Sequence, residues 1–218
     1  MPGTQLAQAS SNKETTAETP AVDGVKSRFS DLISGNFGTH RGLIRLLLGE
    51  AEYLTGRLNG FLEPNLYTTQ RLVFVCLGNI NRSPFGENVA TSLGLYSTSI
   101  GLSTSTGAPA FATAVTTAQR FDIDLTDHKA TNFVDYEYRE GDLLLAMEVR
   151  HAHQLVALGI QPTAIALLGH WSTPHRIHIH DPHTLSDLYF RTCFSIINTA
   201  VREIAQECRR INSPCIAQ

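Results

Sequence analysis

Apolar residues recur at steps of three and four along residues 39 to 61, at Leu43, Leu47, Ala51, Leu54, Leu58 and Phe61. That spacing predicts one face of a helix ending near Asn59 and Gly60. Residues 1 to 38 show no sustained period and are rich in small polar residues, which predicts a flexible tail with a short helical turn near residues 29 to 33. The pattern then changes to Leu72-Val73-Phe74-Val75, an unbroken apolar run of the kind a strand buried on both faces requires. Further on, helices are predicted at 85 to 95, 110 to 121, from 148 through 158, and 187 to about 210, with strands at 96 to 103, 142 to 147 and 163 to 168. Strands alternating with helices predict an α/β domain with parallel pairing and right-handed crossovers. The chain divides accordingly into a polar tail (1–38), an N-terminal helical extension (39–70) and an α/β domain (71–218).

Composition narrows the class. With 218 residues, 17 Lys and Arg against 20 Asp and Glu, and a net charge of -3, the chain suits one good core and gives no reason to expect nucleic acid as a partner. The first thirty residues hold no apolar run of signal-peptide length, and no stretch approaches a membrane span, so a cytoplasmic protein is expected. Arg41, Arg45 and Arg57 are balanced by Glu50 and Glu52, so membrane association of the first helix is not expected either; a strut on the domain or a self-association surface is. The cysteines Cys76, Cys193, Cys208 and Cys215 lack CxxC spacing and read as free thiols in a reducing compartment.

The chemistry concentrates where the first strand ends, in Cys76-Leu77-Gly78-Asn79-Ile80-Asn81-Arg82-Ser83-Pro84. If Arg82 opens a helix, the amides from Leu77 to Arg82 can converge above the Cys76 sulfur, where the helix N-terminus adds partial positive charge. Asn79 tolerates left-handed backbone and Pro84 suits a first helical turn. Arg82 offers a planar fork for two oxygens of a tetrahedral anion, and Ser83 a hydrogen bond to sulfur. Positive surroundings favour Cys76 as a thiolate nucleophile. A plain core cysteine at a strand end is the alternative, and the strand–loop–Arg-Ser-Pro context argues against it.

A thiolate and an arginine supply no proton to a departing oxygen. Asp181-Pro182 is a candidate acid, although Asp-Pro is also an ordinary turn initiator. Seven of the nine histidines fall between His151 and His183. Imidazoles beside the acid loop would solvate its rim or attract dianions when protonated; His178 and His180, with His175 and His183, make a zinc or nickel site conceivable, but no metal is assigned.

VFVCLGNINRSP resembles the phosphate loop of the low-molecular-weight protein tyrosine phosphatases. STSTGAPAFATAVTTAQRFDIDLTDHKATNF, DLLLAMEVRHAHQL and LLGHW resemble later segments of that family in order, the last most like bacterial members associated with exopolysaccharide production. The resemblance spans roughly residues 71 to 210. It implies a three-layer sandwich with a four-stranded parallel sheet in flavodoxin-like order, and hydrolysis of phosphotyrosine in proteins with no cofactor. It also implies that Cys76 is the nucleophile, that Leu77, Gly78, Asn79, Ile80, Asn81, Arg82 and Ser83 bind phosphate, and that Asp181 is the general acid. A bacterial tyrosine autokinase is the implied partner. Two departures stand out: Asn81 replaces a second cysteine that can guard the nucleophile, and His183 replaces the aromatic after Asp-Pro, for which Tyr189 is a possible substitute more suited to the helix core. An arsenate reductase on the same scaffold, needing resolving cysteines such as Cys193 and Cys208 within reach of Cys76, and a non-catalytic phosphotyrosine binder are the alternatives.

Overall fold

The structure is a computed structural model and describes residues 30–217. Four parallel strands, β1 (Arg71–Cys76), β2 (Ser97–Gly101), β3 (Asp142–Ala146) and β4 (Ile165–Leu167), form one sheet in the order β2-β1-β3-β4. Helices α1 (His40–Leu54), α2 (Arg82–Ser92), α3 (Ala112–Ala118), α4 (Val149–Ala157) and α5 (Asp187–Arg210) accompany them.

The alternation of side chains along β1 builds a core on each face. Leu72, Phe74 and Cys76 point into one, with Phe85, Phe190 and Phe194; Val73 and Val75 point into the other, with Leu58, Phe61, Leu144 and Leu155. Phe85 stacks on Phe194 at 4.0 Å between centroids, tying α2 to α5. This is the expected sandwich, and it explains the unbroken apolar run. Register aligns the carboxyl ends: Cys76 pairs with Gly101, and Val75 with Ala146. The crevice at that edge lies where the strand order reverses, the usual ligand position in such sheets. Gly101 ends β2 because a Cβ there would lie 3.0 Å from both Asn79 Cβ and Leu77 O, inside the loop that follows β1.

The N-terminal region departs from the sequence pattern. Helix α1 begins where expected, with Thr39 Oγ1 accepting from Gly42 N–H at 2.9 Å, but stops at Leu54. Gly56, at φ +75°, turns the chain, and a separate 3-10 turn (Asn59–Phe61) delivers Leu58 and Phe61 to the core. The apolar row does not face the domain: Leu47 is 60% and Leu54 81% exposed. Instead α1 lays its glycines against the body of the protein. A Cβ on Gly42 would come within 2.8 Å of the His180 ring, and one on Gly49 within 2.8 Å of Ile177. The approach is too close for side chains, so the buried face carries no hydrophobic signal. Of the expected tail, residues 1–29 lie outside the described residues, and residues 30–37 are helical, with Thr192 Oγ1 donating to Gly35 O at 2.8 Å.

At the opposite edge of the sheet Arg71 grips Asp142 with Nε to Oδ1 at 2.8 Å and Nη2 to Oδ2 at 2.7 Å, and Tyr136 O–H and Arg139 N–H also donate to Oδ2. Burial alone would raise the Asp142 pKa, but these hydrogen bonds outweigh it and hold the carboxyl below its ordinary value. A depressed folded-state pKa contributes stability above the unfolded value, roughly pH 4, and loses it as pH falls through the folded one. Asp142→Asn should therefore be less stable than wild type at neutral pH, with the deficit narrowing on acidification in urea unfolding; a deficit independent of pH would contradict the assignment.

Candidate active site

The loop after β1 keeps its shape through one buried asparagine. Asn79 sits at φ 49° and its amide nitrogen donates to Ser83 Oγ at 2.9 Å and Ser99 Oγ at 2.7 Å. Its side-chain oxygen accepts from Thr131 N–H at 2.7 Å, and its carbonyl meets His128 Nε2 at 2.7 Å. The loop is thus anchored to β2 and to residues 128–131. Asn79 N–H donates to Cys76 Sγ at 3.2 Å, and Ser83 Oγ lies 3.0 Å from the same sulfur. Because Ser83 accepts from Asn79, its own proton is free for the sulfur.

Arg82 opens α2 with its side chain fully buried. Nη1 donates to Glu148 Oε1 and to Ile179 O, each at 2.7 Å, and Nη2 lies 2.8 Å from Asp181 Oδ2. The Asp181 contact is ionic but off the N–H direction, so Nε and Nη2 have no hydrogen-bond acceptor. That leaves one edge of the fork available to an oxyanion. Burial by itself would lower the Arg82 pKa; the carboxylates of Asp181 and Glu148 more than reverse this and keep the guanidinium charged. Glu148 is equally buried and is held by Arg150, with Nε to Oε2 at 2.7 Å and Nη2 to Oε1 at 3.0 Å. Burial pushes its pKa up, but Arg82 and Arg150 prevail and keep it far below the usual carboxylate range.

Asp181 projects from the loop before α5. Burial raises its pKa, but Arg82 together with the His183 N–H bond at 3.2 Å outweighs it and holds the carboxyl below its ordinary value, so the resting group is an anion. The loop is pinned by Ile179 N–H to Met147 O at 2.9 Å. Asn81, Cys76, Asp181 and His183 line one cleft of about 220 Å³ with Leu77, Gly78 and Ile80. The structure therefore brings the three expected chemical residues and the expected loop together.

The histidines divide differently from the sequence expectation. His178 and His151 lie 3.5 and 3.6 Å from Glu148, and burial drives their pKa values down to about 4 and about 3. They are neutral packing around Glu148 and not a protonated rim. Among the described residues no three His, Cys, Asp or Glu side chains converge as a metal ligand set. Tyr189 is buried, its O–H reaching His180 O at 3.3 Å, so it does not replace the rim aromatic. Phe111 stands in that region instead, edge-on to His183 at 4.7 Å, with its N–H bonded to Ile80 O at 2.9 Å. Sequence reasoning missed Phe111, the Ser99 and His128 anchors, and Glu148. Only Glu148 carried a signal, an acidic residue directly after a buried strand. Cys193 and Cys208 are both buried, and the Cys208 sulfur lies 3.2 Å from that of Cys215.

Comparisons with known proteins agree on one relationship. The model of the family "Low molecular weight phosphotyrosine protein phosphatase" matches residues 71–213. The low molecular weight protein-tyrosine-phosphatase Wzb of Salmonella typhi is 30% identical over 139 residues, covering 62% of this chain and 92% of that protein. The probable low molecular weight protein-tyrosine-phosphatase AmsI of Erwinia amylovora is 31% identical over 137 residues, covering 61% and 92%. Among solved structures, the tyrosine phosphatase Wzb of Escherichia coli K30 in complex with sulphate superposes with a TM-score of 0.54 at 28% identity, over 64% of this chain and 98% of that one.

The fork geometry makes a direct forecast. Arg82→Lys should weaken inorganic phosphate binding, read by calorimetry, by roughly 10- to 100-fold, since a charge-assisted bond contributes about 1.5–3 kcal/mol. Glu148→Ala should destabilise the fold by about 3–5 kcal/mol, because it strands a buried charge. Unchanged phosphate affinity in the first, or unchanged urea stability in the second, would contradict the geometry.

Proposed function

This chain belongs to the low molecular weight phosphotyrosine protein phosphatase family, and we propose that it hydrolyses phosphotyrosine in proteins through a phosphocysteine formed at Cys76. The observation that carries the reading is a cleft lined by Cys76 and the Asp-Pro carboxylate of Asp181, with the buried Arg82 fork 2.8 Å from that carboxylate. Sulphate binding by the Escherichia coli Wzb supports a tetrahedral oxyanion as the ligand.

In the proposed mechanism the Asp181 carboxylate occupies Arg82 in the resting enzyme, and the substrate phosphate displaces it. The dianion takes the Nε–Nη2 edge that Asp181 gives up and the loop amides of residues 77 to 83. Its negative charge also removes the influence that kept Asp181 ionised, so Asp181 takes up a proton from solvent as substrate binds and becomes the proton donor. The Cys76 thiolate attacks phosphorus in line, the bond from phosphorus to the tyrosine oxygen breaks, and Asp181 protonates that oxygen. Water then attacks the phosphocysteine, Asp181 takes its proton, and the sulfur leaves as thiolate with phosphate as product. The chemistry closes without a cofactor.

The catalytic domain in this reading is residues 71–218, with 39–70 as an extension and the cytoplasm as its compartment, in keeping with four free cysteines. Among the described residues no helix is long and apolar enough to cross a membrane. The substrate we favour is a phosphotyrosine protein such as a bacterial tyrosine autokinase, with control of exopolysaccharide synthesis as the outcome. The exposed row of Ile44, Leu47, Leu48 and Leu54 supports self-association through α1. Arg41 and Arg45 toward one end of that helix and Glu52 toward the other would complement an antiparallel second copy.

Cys76→Ser should abolish hydrolysis of p-nitrophenyl phosphate while retaining phosphate binding, and Asp181→Asn should slow the hydrolysis of phosphotyrosine by roughly 10²- to 10⁴-fold. Full activity in the serine variant would overturn the mechanism.

A further inference from the structure

Residues 36–53 lie wholly outside the segment that matches the phosphatase family, yet they touch the stretch leading to Asp181 at nearly every step. Glu50 Oε1 accepts from Ile177 N–H at 3.1 Å, and its Oε2 lies 3.4 Å from His175 Nδ1. Tyr53 packs its ring on His175 at 4.9 Å. Arg176 donates to Asn36 O and lies 4.7 Å above the Phe37 ring. Thr39 Oγ1, which caps α1, meets His180 Nε2 at 3.2 Å. Gly42 and Gly49 bring the α1 backbone against His180 and Ile177, where any Cβ would collide. Behind the loop Arg45 reaches to 3.8 Å from Glu148, the residue that anchors Arg82.

These contacts share a direction. The loop from His175 to His180 has no strand or helix of its own; outside the N-terminal region it is held by Ile179 N–H on Met147 O at 2.9 Å, Arg82 Nη1 on Ile179 O at 2.7 Å, Arg176 N–H on Ser172 Oγ at 3.0 Å and Tyr189 O–H on His180 O at 3.3 Å, none of which reaches the Ile177 N–H. Its other face would be bare backbone without α1. Glu50 satisfies the buried Ile177 N–H, which otherwise has no acceptor, and an unmet buried donor is destabilising. Because Asp181 follows His180 directly, the position of its carboxyl is set by how firmly these preceding residues are held, and small displacements matter to proton transfer.

We propose that the N-terminal extension is a positioning element for the general acid: Glu50 and the Gly42 and Gly49 face of α1 hold the 175–180 loop so that Asp181 meets the leaving-group oxygen. Glu50 touches neither phosphate nor sulfur and acts only through the loop. The proposal rests on Asp181 being the acid, and the test separates the two claims.

The readout is kcat/KM on two aryl phosphates, phenyl phosphate, whose leaving group needs a proton, and 2,4-dinitrophenyl phosphate, whose leaving group does not. Glu50→Ala and Gly42→Leu should lower kcat/KM for phenyl phosphate by on the order of 10-fold, a fraction of the full general-acid contribution, while the dinitrophenyl ester stays within about 2-fold. Inhibition by inorganic phosphate should be unchanged, since the Cys76 loop is untouched. Glu50→Gln, which keeps an acceptor for Ile177 N–H, should recover most of the loss. Glu50→Ala added to Asp181→Asn should cost nothing further on phenyl phosphate. Equal losses on both esters, or none on either, would overturn the positioning role while leaving the acid assignment intact if Asp181→Asn alone discriminates between them. If Asp181→Asn does not discriminate, the acid assignment fails and the positioning role fails with it.

Discussion

A guanidinium with no exposed surface organises this molecule. Burying the Arg82 charge costs several kcal/mol unless opposite charge and hydrogen bonds surround it. Glu148 supplies the permanent compensation from behind, and the carbonyl of Ile179 a further acceptor. Asp181 supplies a removable one in front, 2.8 Å from Nη2. The arrangement leaves a charged, fully buried fork whose Nε–Nη2 edge is free to exchange the Asp181 carboxylate for an oxyanion, which gains more there than it would in solution.

The sheet exists to make that arrangement accurate. Cys76 and Arg82 are joined by the loop, but Glu148 and Asp181 come from distant parts of the chain and are brought in by backbone hydrogen bonds that continue the sheet past its formal end. Met147 N–H donates to Val75 O at 3.1 Å, and Ile179 N–H donates to Met147 O at 2.9 Å. One line of peptide groups thus fixes the end of β1, the residue before Glu148 and the residue two before Asp181. Asn79 performs the same service on the other side, tying the loop to Ser99 of β2. Helix α1 closes the remaining side, and its glycines let backbone meet the acid loop directly.

What could be read from the sequence follows from how local each signal is. Strand β1 was legible because burial on both faces leaves no polar position to blur it, and the Cys76 loop because backbone geometry, charge and nucleophile fall within nine residues. Asp181 alone was ambiguous, since Asp-Pro starts turns everywhere; its meaning comes from Arg82, far away along the chain. Glu148 lay in plain view after β3, but its role depends on a contact across 66 positions. The roles within the histidine cluster were not legible because sequence proximity does not reveal burial: His183 lines the cleft, whereas His151 and His178 are packed, neutral, against Glu148. Helix α1 was recognised by period, but which face it turns to the domain was not legible, because the surface it buries includes Gly42 and Gly49 and hydropathy registers nothing there.

The central claim is that the cradle of Arg82 and the loop amides exists to carry phosphate on Cys76. Rapid quenching of the Asp181→Asn variant in acid during turnover of an aryl phosphate, followed by peptide mass spectrometry, tests this most directly. The account requires one phosphate on the peptide containing Cys76, lost when Cys76 is replaced by serine under conditions that preserve a phosphocysteine. Turnover without any phosphorylated Cys76 peptide, or phosphate trapped on another residue, would contradict it.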